Sequence, residues 1–337
     1  MSGDFPPEIL VEGAVLAANE FDVNLVLVGN AALIENKLKT LKYNNRQIEI
    51  EPATEIITMH DDPVQAFRTK KDSSIVKTVL LARHDRVDGF VSPGNTGATF
   101  ATALMLTGRL KGVERPAIAT VVPTINNTPL VVLDIGANLN YKLINYLQSA
   151  LMGRVLIRQL FNIQEPRIGL LNVGEEPGKG THLLKKVYTE LEDMKINFAG
   201  NVESADVLDG KVHVIVTDGF TGNILLKSVE GTFKNLVKLA TREVKKSIFF
   251  QTGALLMKAA LDNIKKILSS DEYGAAPLLG VDSVAMIAHG NSRQKDIRSG
   301  IKMTMHFVQN KVNAMITEEV RQFKVNKLHY PTFHMGD

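Results

Sequence analysis

Short runs of β-branched residues and leucine alternate with amphipathic stretches along most of the chain. Several runs are apolar throughout, which is typical of parallel strands covered on both faces. The alternation predicts an α/β fold with a parallel-rich sheet and helices on both faces. The predicted strands are 23–28, 47–51, 87–92, 118–122, 130–135, 167–173, 195–199, 212–217 and 284–288. The predicted helices are 8–20, 74–84, 97–110, 141–160, 181–194 and 292–323.

The same pattern predicts how the chain is divided. No low-complexity linker interrupts residues 1–330, so we expect one large α/β domain, followed by a loosely ordered tail at 331–337. Residues 224–268 are mostly helical in pattern and contain no strand candidate. The turn-like S-G-D at 2–4 precedes the first helix, although a doubly wound fold normally starts with a strand that feeds such a turn. We therefore expect that a strand is missing upstream.

Four predicted strands end in a small, polar turn that contains glycine and leads into a helix. Glycine allows a ligand to approach the backbone closely, and a helix N-terminus offers free N–H groups to an anion. Open α/β sheets bind ligands at the carboxyl ends of their strands, so the turns predict one shared cleft for phosphate or an oxyanion. They are V-S-P-G-N-T-G-A (91–98), L-D-I-G-A-N (133–138), L-N-V-G-E-E-P-G-K-G (171–180) and V-T-D-G-F-T-G-N (216–223).

Composition narrows the function class. Of the 337 residues 45% are hydrophobic and 22% charged, which is ordinary for a globular protein, and the net charge of +3 gives no indication of a nucleic-acid partner. The absence of cysteine excludes disulfides, thiolate metal sites and a cysteine nucleophile. We see neither a secretion signal nor an apolar run of about 18 residues, so a cytoplasmic protein is expected.

The first two turns have competing interpretations. Gly94, Asn95, Thr96 and Gly97 suit an anion, but they also suit an ordinary strand-to-helix turn with a cap. In the second turn, a capping role is favoured for Asp134 beside Gly136, while the amide of Asn138 has the donors that an oxyanion needs.

The third and fourth turns favour a functional interpretation more strongly. Asn172 and Gly174 open a loop that leads to Lys185, one turn into a helix, where a point charge suits phosphate. A purely structural turn rarely needs as many small polar residues as the fourth turn has. These are Asp218, Gly219, Thr221, Gly222 and Asn223.

Further candidates lie outside these turns. His289 ends an apolar run and suits acid, base or phosphate-donor chemistry, or simple packing at a turn; no pair of histidines has metal-ligand spacing. Arg68, Lys70 and Lys71 form a basic cluster that is either a solvated face or a surface for an acidic partner. Residues 245–268 form a basic amphipathic helical stretch, which suits an anionic membrane or a packed interface.

Taken together, the motifs resemble the phosphate:acyl-(acyl-carrier-protein) acyltransferases of bacterial phospholipid synthesis, the PlsX family. The resemblance covers nearly the whole chain, and so many motifs in one order are highly specific. They are the four turns, R-T-K-K-D-S-S (68–74), G-R-L-K-G-V-E-R-P-A (108–117) and A-H-G-N-S (288–292).

The resemblance implies a reaction in which an acyl carrier protein thioester and inorganic phosphate give acyl phosphate and free carrier. It also implies a Rossmann-like α/β fold akin to phosphotransacetylases and isopropylmalate dehydrogenases, a homodimer, no organic cofactor and a peripheral membrane location beside glycerol-3-phosphate acyltransferase. From the residues themselves, no metal site is expected. The basic cluster at Arg68–Lys71 would receive the acidic carrier. The family's protruding helical pair would fall at 235–268, with Phe249, Phe250, Leu255 and Leu256 as membrane contacts.

The start of the chain departs from the family. Relatives usually begin with a strand and a D-A-M-G-G-D turn, of which only M-S-G-D remains, so that Gly3 and Asp4 would be the surviving phosphate-binding residues.

The mechanism expected from the resemblance places phosphate on the helix N-termini after Gly94–Gly97 and Thr221–Asn223. The catalytic candidates are Lys185, Asn223, His289 and Asn138. Three rivals are a short-chain phosphotransacetylase using coenzyme A, a metal- and NAD-dependent dehydrogenase, for which no cluster of aspartates is found, and a non-catalytic membrane scaffold.

Overall fold

The computed structural model describes residues 6–260 and 274–328. The strands are β1 (Leu25–Gly29), β2 (Ile48–Pro52), β3 (Gly89–Ser92), β4 (Ala117–Val122), β5 (Leu130–Leu133), β6 (Ile168–Asn172), β7 (Phe198–Glu203), β8 (Val214–Val216), β9 (Ala276–Leu279) and β10 (Val284–Ile287). The helices are α1 (Glu8–Glu20), α2 (Ala31–Leu38), α3 (Pro63–Thr69), α4 (Ser74–Arg83), α5 (Thr96–Leu106), α6 (Leu143–Phe161), α7 (His182–Asp193), α8 (Gly219–Val244), α9 (Ile248–Leu256), α10 (Gln294–Gln309) and α11 (Val312–Leu328).

Most of the strands form one mixed sheet in the order β3-β10-β9-β4-β5-β8-β6-β7, and β1 pairs with β2 separately. β10 is parallel to β3, and β9 is antiparallel to both β10 and β4. β5 is antiparallel to β4 and parallel to β8, and β6 is parallel to its neighbours β8 and β7. The carboxyl ends of β5, β8 and β6 therefore share one edge of the sheet, and those of β3, β10 and β4 share the opposite edge.

Burial on both faces explains the apolar runs that predicted the central strands. In β5 every residue is buried, and successive side chains enter different clusters. Val131 and Leu133 pack in the cluster that holds Leu147 of α6, whereas Leu130 and Val132 pack in the cluster that meets Leu225 of α8. This period of two fixes the register of the sheet, because a shift of one residue would exchange the two faces.

The structure confirms the α/β fold class and corrects several boundaries. β7 begins at Phe198 and extends to Glu203, later than the predicted 195–199. β9 was not predicted, since its sequence A-P-L-L is short and contains a proline, which argues against a strand within a sheet. The predicted helix at 292–323 is two helices, because the chain turns at Asn310 and Lys311, where Lys311 has a φ of 52°.

A gap separates the two sheets. A cavity of about 800 Å³ lies between Leu25–Val28 of β1 and Gly89–Ser92 of β3, and is also lined by residues of α1, α4 and α10. Residues 1–5 lie outside the described residues.

Candidate active site

The four glycine turns do not lie at one edge of the sheet. The turns after β5, β6 and β8 share an edge, because these strands are adjacent and parallel. The turn at Gly94–Gly97 follows β3, which runs the opposite way, and His289 follows β10 beside it, where the Ala288 N–H donates to the Ser92 carbonyl at 2.9 Å. These two therefore follow strands at the opposite edge of the mixed sheet, and the single shared cleft stays a prediction for them. Helix α5 links the two regions, since Ile135 and Ala137 pack on the cluster that contains Ala103.

The turn after β5 is organised by the fully buried carboxylate of Asp134. Its Oδ1 accepts from the backbone N–H groups of Ile118, Gly136 and Ala137 at 3.2, 3.1 and 2.9 Å. Its Oδ2 accepts from the backbone and the side-chain amide of Asn138 at 2.8 and 3.2 Å. Burial raises the pKa of Asp134, while the hydrogen bonds from Ala137 and Asn138 act to lower it. Asp134 therefore shapes the turn from inside and does not face a ligand.

The same network changes the role predicted for Asn138. Its side-chain Nδ2 donates to the Pro116 carbonyl at 2.6 Å as well as to Asp134, so both amide hydrogens have partners. Its backbone carbonyl accepts from the Gly219 N–H at 2.9 Å, which ties this turn to the start of α8. These contacts show Asn138 tying the turn to its neighbours, and the oxyanion role stays a prediction.

Helix α8 begins at the site and its start is tightly held. Asp218 is the N-cap: its Oδ1 accepts from the Thr221 N–H and its Oδ2 from the Thr221 hydroxyl, both at 2.9 Å. The Tyr146 hydroxyl also donates to Oδ2 at 3.2 Å, and burial followed by this carboxylate raises the pKa of Tyr146, which keeps it a donor. Gly222 is buried so close to the Asp134 carbonyl that a side chain there requires the two backbone segments to move apart.

The turn after β6 is held by asparagine side chains. Nδ2 of the buried Asn172 donates to the Lys179 carbonyl at 3.2 Å and to Asn201 Oδ1 at 3.1 Å. Asn201 in turn donates to the Glu176 carbonyl at 2.8 Å. Asn172 is thus structural, and the loop from Gly174 to Lys179 is fixed over the end of the strand.

Two of the predicted catalytic residues remain exposed at this edge. Lys185 lies on the exposed side of the first turns of α7, and among the described residues it makes no ion pair, unlike Lys179, which lies 3.7 Å from Glu176. Asn223 is exposed in the first turns of α8, and a Cβ placed on Gly136 would lie 3.9 Å from it. A lysine beside helix N-termini gives a positive site without a carboxylate partner, which favours an anion.

At the opposite edge of the sheet, helix α3 covers the turn after β3. Asn95 caps α5 by accepting from the Ala98 N–H at 2.9 Å, and its Nδ2 donates to the carbonyl of Thr58 at 3.1 Å. A Cβ on Gly97 would meet Pro63 at 2.7 Å, so α3 packs against this helix start. Gly94 and Asn95 are buried, whereas Thr96 and His289 are exposed. Gly3 and Asp4 lie outside the described residues.

The basic cluster is partly neutralised. Lys70 forms an ion pair with Asp61 at 2.6 Å, and this hydrogen bond lowers the pKa of Asp61. Lys71 lies 3.9 Å from the centre of the Phe67 ring, and Arg68 is exposed.

The predicted helical protrusion corresponds to the outer half of α8 together with α9. No residue from Asn223 to Ala260 is buried, and Phe249 and Leu256 are 83% and 84% exposed. Residues 261–268 of the predicted pair lie outside the described residues. Within residues 6–260 and 274–328, no helix is both long and apolar enough to cross a membrane.

Comparisons of sequence place the chain among known proteins. A family model described as "Fatty acid synthesis protein" matches residues 1–315. The chain is 44% identical over 319 residues to a phosphate acyltransferase of Dictyoglomus turgidum, covering 94% of this chain and 95% of that protein. It is 40% identical to the phosphate acyltransferase of Clostridium tetani, covering 95% and 96% of the two chains.

Comparisons of structure agree on the fold. A phosphotransacetylase from Streptococcus pyogenes superposes with a TM-score of 0.56 at 15% identity, covering 94% of this chain and 91% of that one. A phosphotransacetylase from Staphylococcus aureus gives a TM-score of 0.53 at 14% identity, covering 93% and 92%. At these identities the likeness establishes the α/β architecture and nothing about substrates.

Proposed function

Since the chain belongs to the fatty acid synthesis protein family of phosphate acyltransferases, we propose that it transfers an acyl group from acyl carrier protein to inorganic phosphate. The products are acyl phosphate and the free carrier thiol. The observation that carries this proposal is the exposed Lys185, without an ion pair among the described residues, at an edge where three rigid turns and the start of α8 meet.

The site suits direct attack by phosphate on the thioester carbonyl. Lys185 would hold phosphate and Asn223 would orient it or the carbonyl, because N–H groups at the start of α8 are already bound by Asn138 and Asp218. Positioning supplies most of the advantage in such a transfer, which explains why the turns are fixed by Asp134, Asn172 and Asp218. A thiol leaving group has a pKa of about 8.5, so the site has no need of a strong general acid. The phosphate-binding role of Gly94–Gly97 and the catalytic role of His289 stay predictions.

The test is the formation of acyl phosphate from acyl carrier protein and phosphate, with acyl coenzyme A as the competing donor. Lys185→Ala and Asn223→Ala are expected to lower turnover by about 100-fold or more, the usual scale for a lost transition-state contact. Lys186→Ala is the matched control, because Lys186 is the neighbouring exposed lysine of α7 and should keep normal activity. Normal turnover in both site variants would refute the assignment, and a preference for acyl coenzyme A would favour a phosphotransacetylase.

We also propose that the acidic carrier docks on Arg68, Lys70 and Lys71, and that α9 contacts a membrane surface. The support is the exposure of Arg68 and of the apolar side chains of α9. We propose that the acyl phosphate passes to a glycerol-3-phosphate acyltransferase. A homodimer that uses part of this helical pair would bury the same apolar residues that a membrane would cover. Sedimentation with anionic vesicles, together with light scattering of the free protein, distinguishes membrane contact from dimer burial.

A further inference from the structure

Four large apolar side chains stand exposed beside the polar site. Leu139 follows the turn after β5, Val173 follows β6, and Phe220 and Ile224 lie in the first turns of α8. Their exposed fractions are 61%, 81%, 58% and 50%. We call them the apolar rim. A contiguous group of exposed apolar side chains beside a binding site marks a ligand surface more often than an isolated exposed residue does.

The strand order places the members of the apolar rim next to one another. β8 lies between β5 and β6, and the hydrogen bond from Gly219 to the Asn138 carbonyl brings the residues that follow, Phe220 and Leu139, to neighbouring positions. The pairing of Leu170 with Val216 sets the ends of β6 and β8 side by side, so Val173 and Phe220 follow neighbouring strands at the same edge of the sheet. Ile224 is four residues after Phe220 and therefore lies on the same face of the helix.

The backbone holds these side chains in place. Leu139 follows Asn138, which Asp134 binds through two donors. The Val173 N–H donates to Asn172 Oδ1 at 2.9 Å, and Phe220 lies between two residues whose N–H groups are bound, Gly219 and Thr221. The rim therefore stays apolar and open at the point where the reacting groups would meet.

From this geometry we infer that the apolar rim binds the first methylenes of the fatty acyl chain of the donor. The inference rests on the proposed function, because that function supplies a substrate with a polar reacting end joined to an apolar chain. The thioester would lie at the turns beside Lys185, and the chain would leave across Phe220 toward Ile224. This assigns the rim residues a part in selecting chain length, separate from the residues that hold phosphate.

The experiment compares acetyl, butanoyl and octanoyl carrier proteins, which differ in the first methylenes of the chain, with the unchanged protein and with Leu139→Ser, Val173→Ser and Phe220→Ser. A fully buried methylene is worth about fourfold in affinity, so the kcat/KM of the unchanged protein should rise with chain length. Each rim variant should flatten that rise and lose most with the longest chain. Ile125→Ser is the matched control, because Ile125 is 71% exposed and follows β4 at the opposite edge. The control should keep the full dependence on chain length.

A folding defect would lower kcat/KM for every donor by the same factor and leave its dependence on chain length unchanged. The inference is overturned if all three rim variants keep the dependence on chain length of the unchanged protein. Calorimetric binding of the same carrier proteins without phosphate repeats the comparison in the absence of turnover. If the unchanged protein makes no acyl phosphate but binds long chains more tightly, and the variants lose that preference, the proposed reaction fails and the rim assignment stands.

Discussion

Gly222 provides the sharpest test of how α8 is positioned. A Cβ at this residue would lie 2.0 Å from the Asp134 carbonyl oxygen and 2.9 Å from Thr217 Cγ2. Ordinary contact begins at 3.4 Å, so Gly222→Ala requires the start of α8 and the end of β5 to separate by about 1.4 Å. The first obstacle is backbone, which cannot swing aside as a flexible side chain can.

The expected magnitude follows from opposing effects. In an exposed helix, replacing glycine with alanine stabilises by up to about 1 kcal/mol. Overpacking a close contact costs about 1–3 kcal/mol, so Gly222→Ala should lower the free energy of unfolding by about 0–3 kcal/mol. A displacement of about 1 Å at reacting groups can cost about 100-fold in rate, so activity should fall even in the molecules that remain folded.

Gly231→Ala is the matched control, because it makes the same change in the same helix and its Cβ would have nothing within 4 Å. The assays are acyl phosphate formation and urea unfolding followed by circular dichroism. We expect Gly222→Ala to lose about 100-fold in kcat/KM with its helix content retained, and Gly231→Ala to be fully active and slightly more stable. Equal activities in the two variants would refute the positioning argument.

Three other predictions follow from single interactions. Asp134→Asn leaves at least one buried N–H without an acceptor, at about 1–3 kcal/mol for each such group, so its urea midpoint should fall. An unchanged urea midpoint would contradict a stabilising role for the hydrogen bonds that Asp134 accepts. The ion pair with Lys77, followed by the hydrogen bonds from Thr54, lowers the pKa of Asp72 from 3.8 to about 2, so this carboxylate stabilises the fold above pH 3.8 and the stabilisation is lost as the pH falls toward 2. Asp72→Asn should therefore flatten the acid dependence of unfolding over that range, and an unchanged slope would count against it. The double variant Phe249→Ser, Leu256→Ser should lose vesicle binding while keeping acyl transfer to phosphate in solution, and unchanged sedimentation would exclude α9 as the membrane contact.

The elements whose side chains alternate between two buried faces were predictable from sequence. Val131 and Val132 are both apolar because both faces of β5 are covered, and a continuous apolar run expresses that directly. The direction of each strand is not encoded locally. The reversal between β4 and β5, which moves Gly94–Gly97 to the other edge, depends on pairings with β9, a strand of four residues that contains Pro277.

Site roles were harder to predict than site positions. Asp134, Asn138 and Asn172 were correctly placed at strand ends, yet their polar atoms bind backbone groups that become neighbours only after folding, such as Pro116 and Lys179. Sequence alone does not distinguish an amide that faces a ligand from one that faces a carbonyl. The apolar rim was missed for a related reason. Val173 and Phe220 look like ordinary core residues until their exposure is known.

The positions of the charged side chains at this edge follow from the cost of burying a charge. A carboxylate at this edge repels phosphate unless its charge is bound: Asp218 accepts from Thr221 and Tyr146, and Asp134 lies inside the turn, where it accepts from five N–H donors. Those donors include the backbone of the turn itself, so the same carboxylate that is hidden from the ligand also fixes the turn. Lys185 then remains a positive charge with no anionic partner among the described residues of the site. Moving this carboxylate outward would therefore weaken both the anion site and the turn that carries it. We expect substitution of Asp134 to lower the free energy of unfolding more than substitution of the exposed Asn223 does.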